Sequence, residues 1–184
     1  MGVVEKSGLE LMEFALHYRG PLSPKANAAD KLSIRRHFHA QVKKICTDED
    51  SPVRHNPRNW LLEVRKKIGD FEFVALVAEW NGLLAEVEII LLRPEAPGSI
   101  VSSGDIDNRL KTLFDAIKIP QHLQDLPPGA TPGEGETPFF CILEDDRRIT
   151  KVTIQTERLW EAASSDEVEL IMLVRPVTMY GGFT

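Results

Sequence analysis

The sequence predicts an α+β fold: a mixed or largely antiparallel sheet with helices packed on one face. Runs rich in β-branched and aromatic residues come in neighbouring pairs separated by turn residues, the pattern of hairpins. Helical periodicity is confined to three short stretches. Two of them carry an apolar stripe on one side only, so each is expected to pack on the sheet through that side.

The 184 residues lead us to expect one domain, spanning 1–184. A chain of that length buries a core without staples. The composition, 42% hydrophobic and 27% charged, is that of a globular protein. No apolar run is long enough to span a bilayer, so no membrane partner is expected. Cys46 and Cys141 have no C-x-x-C spacing, which argues against a cysteine zinc site. No stretch pairs a basic start with a long apolar run, so a reducing, cytoplasmic setting is expected.

Taken in order, residues 8–18 alternate and read as a first strand. Pro21, Pro24 and Asn27 break the chain over 19–30, and Asp30 is placed to cap a helix over 31–46. Ile34, Phe38, Val42 and Ile45 share one face of that helix, and Arg35, His39 and Lys43 line another. A linker over 47–57 leads to a short second helix over 59–69. Two β-rich runs flank Asn81-Gly82 and predict a hairpin. A loop over 95–104 precedes a helix from Asn108 to Lys118, whose Leu110, Leu113, Phe114 and Ile117 should meet the sheet. The Pro/Gly-rich segment 124–138 reads as a mobile loop. A strand over 139–146 ends in acids, and 152–160 and 167–177 form a last hairpin.

Net charge is −6, but it is unevenly spread. Residues 31–69 hold 10 Lys/Arg against 4 Asp/Glu, and the remainder holds 12 against 24. A basic segment on an acidic body can steer a polyanion locally, although a solvated helix face gives the same count.

The chemistry-bearing stretch is D-I-D-N-R-L-K-T-L-F-D-A at 105–116. In an extended lead-in to the helix, Asp105 and Asp107 point to the same side. Two carboxylates there make a hard-oxygen site for Mg²⁺ or Mn²⁺. Lys111 is one turn beyond Asp107, placed to stabilise charge on a phosphate. The E-D-D stretch at 144–146 would add one or two more ligands from a strand end, with Asp145 and Asp146 as the candidates. The bland reading of each piece is a capping device and a solvated turn. A calcium loop of the EF-hand type is excluded, because Leu110 and Ala116 stand where Gly and Glu are needed.

The combined pattern resembles the RusA-type Holliday junction endodeoxyribonucleases of bacteria and phages. Their signature, D-x-D-N-x-x-K-x-x-x-D-A followed by a strand ending in D-D, is matched at 105–116 and at L-E-D-D-R-R-I, 143–149. The similar order of elements runs from Glu86 to Val177, about half the chain. The resemblance implies a RusA-like fold and a homodimer that cuts branched DNA with Mg²⁺ in recombination and repair. It implies Asp105, Asp107 and Asp146 as metal carboxylates, Asp145 as their neighbour, and Lys111 as the catalytic lysine.

Phosphate contacts are expected from Arg35, Arg36, Lys43 and Lys44 on the first helix and from Arg147, Arg148 and Lys151 beside the acids. The loop before the D-x-D carries no positive charge after Arg93, and the stretch before the D-D is long and acidic. These departures motivate the alternative, a RusA-like module that binds nucleic acid or protein with weak or absent catalysis.

Overall fold

The computed structural model describes residues 13–49, 64–96 and 105–178. The fold is α+β, as the sequence predicts, but its strands form two mixed sheets rather than one.

β1 (Phe14–Pro21) alternates, with Phe14, Leu16 and Tyr18 facing the core. α1 (Ala28–Thr47) starts earlier than the sequence reading. Its cap is Asn27, not Asp30. The Asn27 side chain accepts from Ala29 N and Asp30 N, and Asp30 Oδ2 accepts from Asn27 N at 3.0 Å. This reciprocal box satisfies two kinds of orphan donor at once, so it outcompetes a lone Asp30 cap. Ile34, Phe38 and Val42 are buried as expected, with Ile45 partly so.

β2 (Lys66–Ile68) replaces the predicted helix over the described part of 59–69. It pairs antiparallel with β3 (Phe71–Val77) across Gly69-Asp70. Gly69 has φ +58, and a Cβ there would lie 3.0 Å from a Leu123 methyl, so the turn suits glycine on both counts. The helical reading of 64–69 fails because Ile68 is anchored opposite Phe71.

The Asn81-Gly82 turn is real, but it does not close a hairpin. β3 pairs with β2 and, in parallel, with β5 (Phe139–Leu143), whereas β4 (Leu83–Arg93) belongs to the other sheet. Asn81 is buried. Its Oδ1 accepts from Ala78 N and Leu83 N, each at 3.1 Å, and its Nδ2 donates to Leu76 O at 2.9 Å. Those bonds carry the chain from one sheet to the other. The burial patterns explain the split. β3 is buried on both faces, the habit of a strand covered twice, while β4 alternates strictly.

The larger sheet has the order β1-β7-β4-β6, with β6 (Ile149–Arg158) and β7 (Glu167–Thr178). β6 and β7 are therefore not a hairpin either. β4 lies between them, parallel to β6 and antiparallel to β7. The main core fills the inner face of this sheet with Leu16, Val87, Ile89, Leu170 and Met172, against Phe38 and Val42 of α1 and Phe140 of β5. A second core on the far side of the smaller sheet gathers Leu32, Phe71, Phe73, Phe139 and Cys141.

α2 runs Asp105–Ile117. Leu113 and Ile117 are fully buried, and Leu110 and Phe114 pack partly against the core. Both cysteines are free and buried. Burial pushes each thiol up to about 12. Among the described residues, no helix is long and apolar enough to cross a membrane.

Candidate functional site

The helix start decides the geometry of the D-x-D pair. α2 begins at Asp105, so both acids lie within the helix rather than in an extended lead-in. Helical residues two apart are turned by roughly 200°. The extended lead-in on which the paired-carboxylate expectation rested is therefore not present at 105–107. Asp107 and Lys111 are both exposed. The side chain of Asp105 lies outside the described set.

Asp107, Lys111, Asp115 and Lys118 fall on one stripe of the helix and its last turn. At its lower end the stripe forms a closed network. Lys118 Nζ donates to Asp146 Oδ2 at 2.8 Å and lies 3.0 Å from Asp115 Oδ1, and Lys31 Nζ donates to Asp115 Oδ2 at 2.8 Å. Burial disfavours the Lys118 ammonium, but the bonds to Asp146 and Asp115 outweigh it and raise its pKa. Burial also works against the Asp115 carboxylate, and its bonds from Lys31 and Lys118 outweigh that and lower its pKa.

The strand-end acids therefore serve three separate partners. Glu144 Oε2 accepts from Glu79 N at 2.7 Å. Asp145 caps the short turn Asp146–Arg148 by accepting from Arg147 N, and its pairing with the Arg147 side chain holds its carboxyl down to about 2. Asp146 faces Lys118 at the end of α2. The reason is topological: β5 runs parallel to β3 and also bridges Lys118 in parallel, with Ile119 N donating to Leu143 O at 2.9 Å. The end of β5 is thus drawn to the end of α2, not to its beginning.

Asp107 precedes Asp115 by eight residues, about 12 Å along the helix axis. Oxygen ligands to Mg²⁺ or Mn²⁺ stand about 2 Å from the ion. Asp107 and Asp146 therefore do not meet around one ion in this structure, and Asp145 and Asp146 are already engaged by cations. Among the described residues, no group of three or more His, Cys, Asp or Glu is placed to hold a metal.

The cations named for phosphate contact separate into two classes. Arg35 is 2% exposed, and its guanidinium donates to Asp115 O at 2.7 Å and Lys118 O at 3.3 Å, capping the end of α2. Burial removes it from any phosphate surface. Arg36 is exposed but forked onto Glu136 and donates to Thr131 O, and Lys43 Nζ donates to Gly135 O at 2.7 Å. The Pro/Gly loop is thereby strapped across α1 and is not a free-standing arm. Arg148 pairs with Glu79 and Arg147, though exposed, with Asp145, while Lys44 and Lys151 are exposed.

His39 is likewise buried rather than surface-facing. Its Nδ1 accepts from Phe140 N at 2.8 Å and its Nε2 lies 3.3 Å from Gly135 O, which fixes a neutral tautomer. Trp160 is 81% exposed under the Arg158 guanidinium.

Sequence reasoning missed Arg109, which sits inside the dodecamer and is 3% exposed. It donates to Leu22 O at 2.7 Å and to Ser165 O, and it pairs with Glu95 and Asp166. It fastens the start of α2 to two distant loops, so Asp107 and Lys111 are presented outward. Its spacing, two residues from each of them, places it on the opposite side of the helix, but its partners could not be read from the sequence. Comparison with known proteins finds no matching family model, curated relative or solved structure.

Proposed function

We propose that this chain is a metal-dependent endodeoxyribonuclease of the RusA type that cuts branched DNA in the cytoplasm, in recombination and repair. The supporting observation is that Asp107 and Lys111 share one stripe of α2 with Lys118 just beyond its end, and that Asp146 joins the same stripe through Lys118. That shared stripe is what supports a common surface for the two halves of the motif. A divalent ion supplies, when bound, the activation of water at a phosphodiester. Lys111, exposed one turn from Asp107, is the group placed to meet phosphate charge. Lys44, Arg147 and Lys151 remain as exposed cations for the DNA backbone. The reading requires the turn at 144–148 to release Asp146 from Lys118 and move towards the helix start.

A second reading is favoured by the same ion pair. With Asp146 neutralised by Lys118 and Asp115 by Lys31, the stripe is complete without a metal. The chain is then a RusA-like module that binds nucleic acid or protein and does not cut. Cleavage of branched DNA in Mg²⁺ or Mn²⁺ separates the two. Wild type that binds a junction and leaves it intact supports the module; metal-dependent nicks that vanish in Asp107→Asn support the nuclease.

A further inference from the structure

A cavity of about 400 Å³ lies between the start of α1, the end of α2 and the turn at 120–125. That is the size of a small-ligand site. Ala28, Lys31 and Arg35 form one wall, at the spacing of a single helix face. Asp115 and Lys118 form another. Most of the polar groups in these walls are spent on one another. Lys31 and Lys118 share Asp115, and Lys118 also pairs with Asp146. Asp125 Oδ2 accepts from Gln121 N and His122 N, each at 2.9 Å. Arg35 is the exception. Its Nε and Nη2 donate to the carbonyls of Lys118 and Asp115, and no carboxylate among the described residues pairs with it. Its Nη1 is buried and has no hydrogen-bond partner. A guanidinium that is 2% exposed and keeps a donor unspent is costly until an acceptor answers it.

The cavity adjoins a wider, largely apolar groove, and the two share Ala28, His122 and Gln124. Leu123 stands in the groove, 65% exposed and close to Gly69, with Leu126, Pro127 and Ala130 beside it. An exposed leucine alone says little, but this one borders a cavity with an unanswered cation. We propose that cavity and groove together bind a phosphate monoester with a flat apolar body, the chemistry of a mononucleotide. The phosphate enters the cavity and supplies the acceptor that Arg35 Nη1 lacks. Lys31 and Lys118 each keep an N–H beyond those given to acids. The three terminal oxygens of a phosphate monoester can take donors from all three cations at once, which a carboxylate cannot. α1 begins at Ala28, so the positive end of its dipole favours the same charge. The body lies in the groove over Leu123. Arg35 is too deep for a strand lying across the surface, so the group that meets it must be a free end. Two sources present that end, a free nucleotide and the phosphorylated terminus of a DNA strand. The site rests on the cavity and groove alone and does not depend on cleavage.

Calorimetric titration of the intact chain in EDTA tests it with no metal-dependent cutting. Deoxyadenosine monophosphate should bind, and deoxyadenosine, which lacks the phosphate, should bind about tenfold or more weaker. Lys31→Gln leaves Asp115 paired with Lys118 and should weaken both the nucleotide and inorganic phosphate about tenfold. Leu123→Ser, at an exposed position, should weaken the nucleotide and leave inorganic phosphate unchanged. The comparison of nucleotide with nucleoside on wild type needs no variant to fold. A terminally phosphorylated oligonucleotide that binds better than its hydroxyl-ended counterpart assigns the site to strand ends. A bound nucleotide with no difference between the two oligonucleotides assigns it to the free form. Binding of neither the nucleotide nor the phosphorylated end up to about 1 mM, equal binding of deoxyadenosine, or an affinity indifferent to Lys31→Gln would each overturn the proposal.

Discussion

The Lys118 ammonium lies 2.8 Å from Oδ2 of Asp146 and 3.0 Å from Oδ1 of Asp115, so one lysine holds together two acids from opposite halves of the motif. Lys118→Met leaves those carboxylates facing each other in a partly buried site. The expected loss is about 1–2 kcal/mol, between the values for exposed and buried pairs, in urea unfolding. Asp146→Asn should cost less, because Asp115 keeps both lysines. The pH dependence follows from the lowered Asp115 pKa. Its contribution is present above the usual aspartate range and is lost as pH falls through the depressed value.

His39 provides a second pH test. Burial lowers its pKa, against the opposing influence of Gly135 O and Glu136, while Lys43 also lowers it. The folded form therefore binds its proton less readily than the unfolded form. Stability is full above about 6.5, the ordinary histidine value, and falls as pH drops below it. Protonation would also set an N–H against Phe140 N. Melting temperature between pH 8 and pH 5.5, about the range over which histidine titrates, should fall in wild type and flatten in His39→Asn.

Arg109→Met should be among the most damaging substitutions in the dodecamer. It removes a buried guanidinium from Leu22 O and Ser165 O and leaves those carbonyls and Asp166 without it. A loss of about 2–4 kcal/mol is expected in thermal or denaturant unfolding. A loss below about 0.5 kcal/mol, the size of an ordinary surface change, would remove it as a fastening residue.

Glu136→Gln should loosen the strap without unfolding the domain. It takes the charge from the fork with Arg36, a half-exposed pair whose loss should cost on the order of 1 kcal/mol. Limited proteolysis within 124–138 should quicken while the global melt hardly moves. Equal cleavage rates would mean that Lys43 and His39 hold the loop unaided.

These residues also show what the sequence could carry. The stripe of Ile34, Phe38 and Val42 and the alternation of β4 were legible because burial on one face imposes a period. Strand partners were not. Asn81-Gly82 is a sound turn signal, yet the buried Asn81 amide bonds the turn internally while β3 finds its neighbour at 139–143, far along the chain. The arrangement of the site was not legible for a local reason and a distant one. The helix starts three residues earlier than the sequence reading, and the parallel bridge between Lys118 and Leu143 draws Asp146 to the end of α2. Arg35 and His39 share the spacing of solvated residues, and only the packing of β5 and the strap against α1 buries them.

The most direct test is incubation of a labelled four-way junction with purified protein in Mg²⁺, Mn²⁺ or EDTA, beside Asp107→Asn. The nuclease reading predicts metal-dependent nicks in wild type, none in EDTA, and none in the variant although it still binds the junction. A junction left intact by wild type in both metals, or nicked equally by Asp107→Asn, would contradict it.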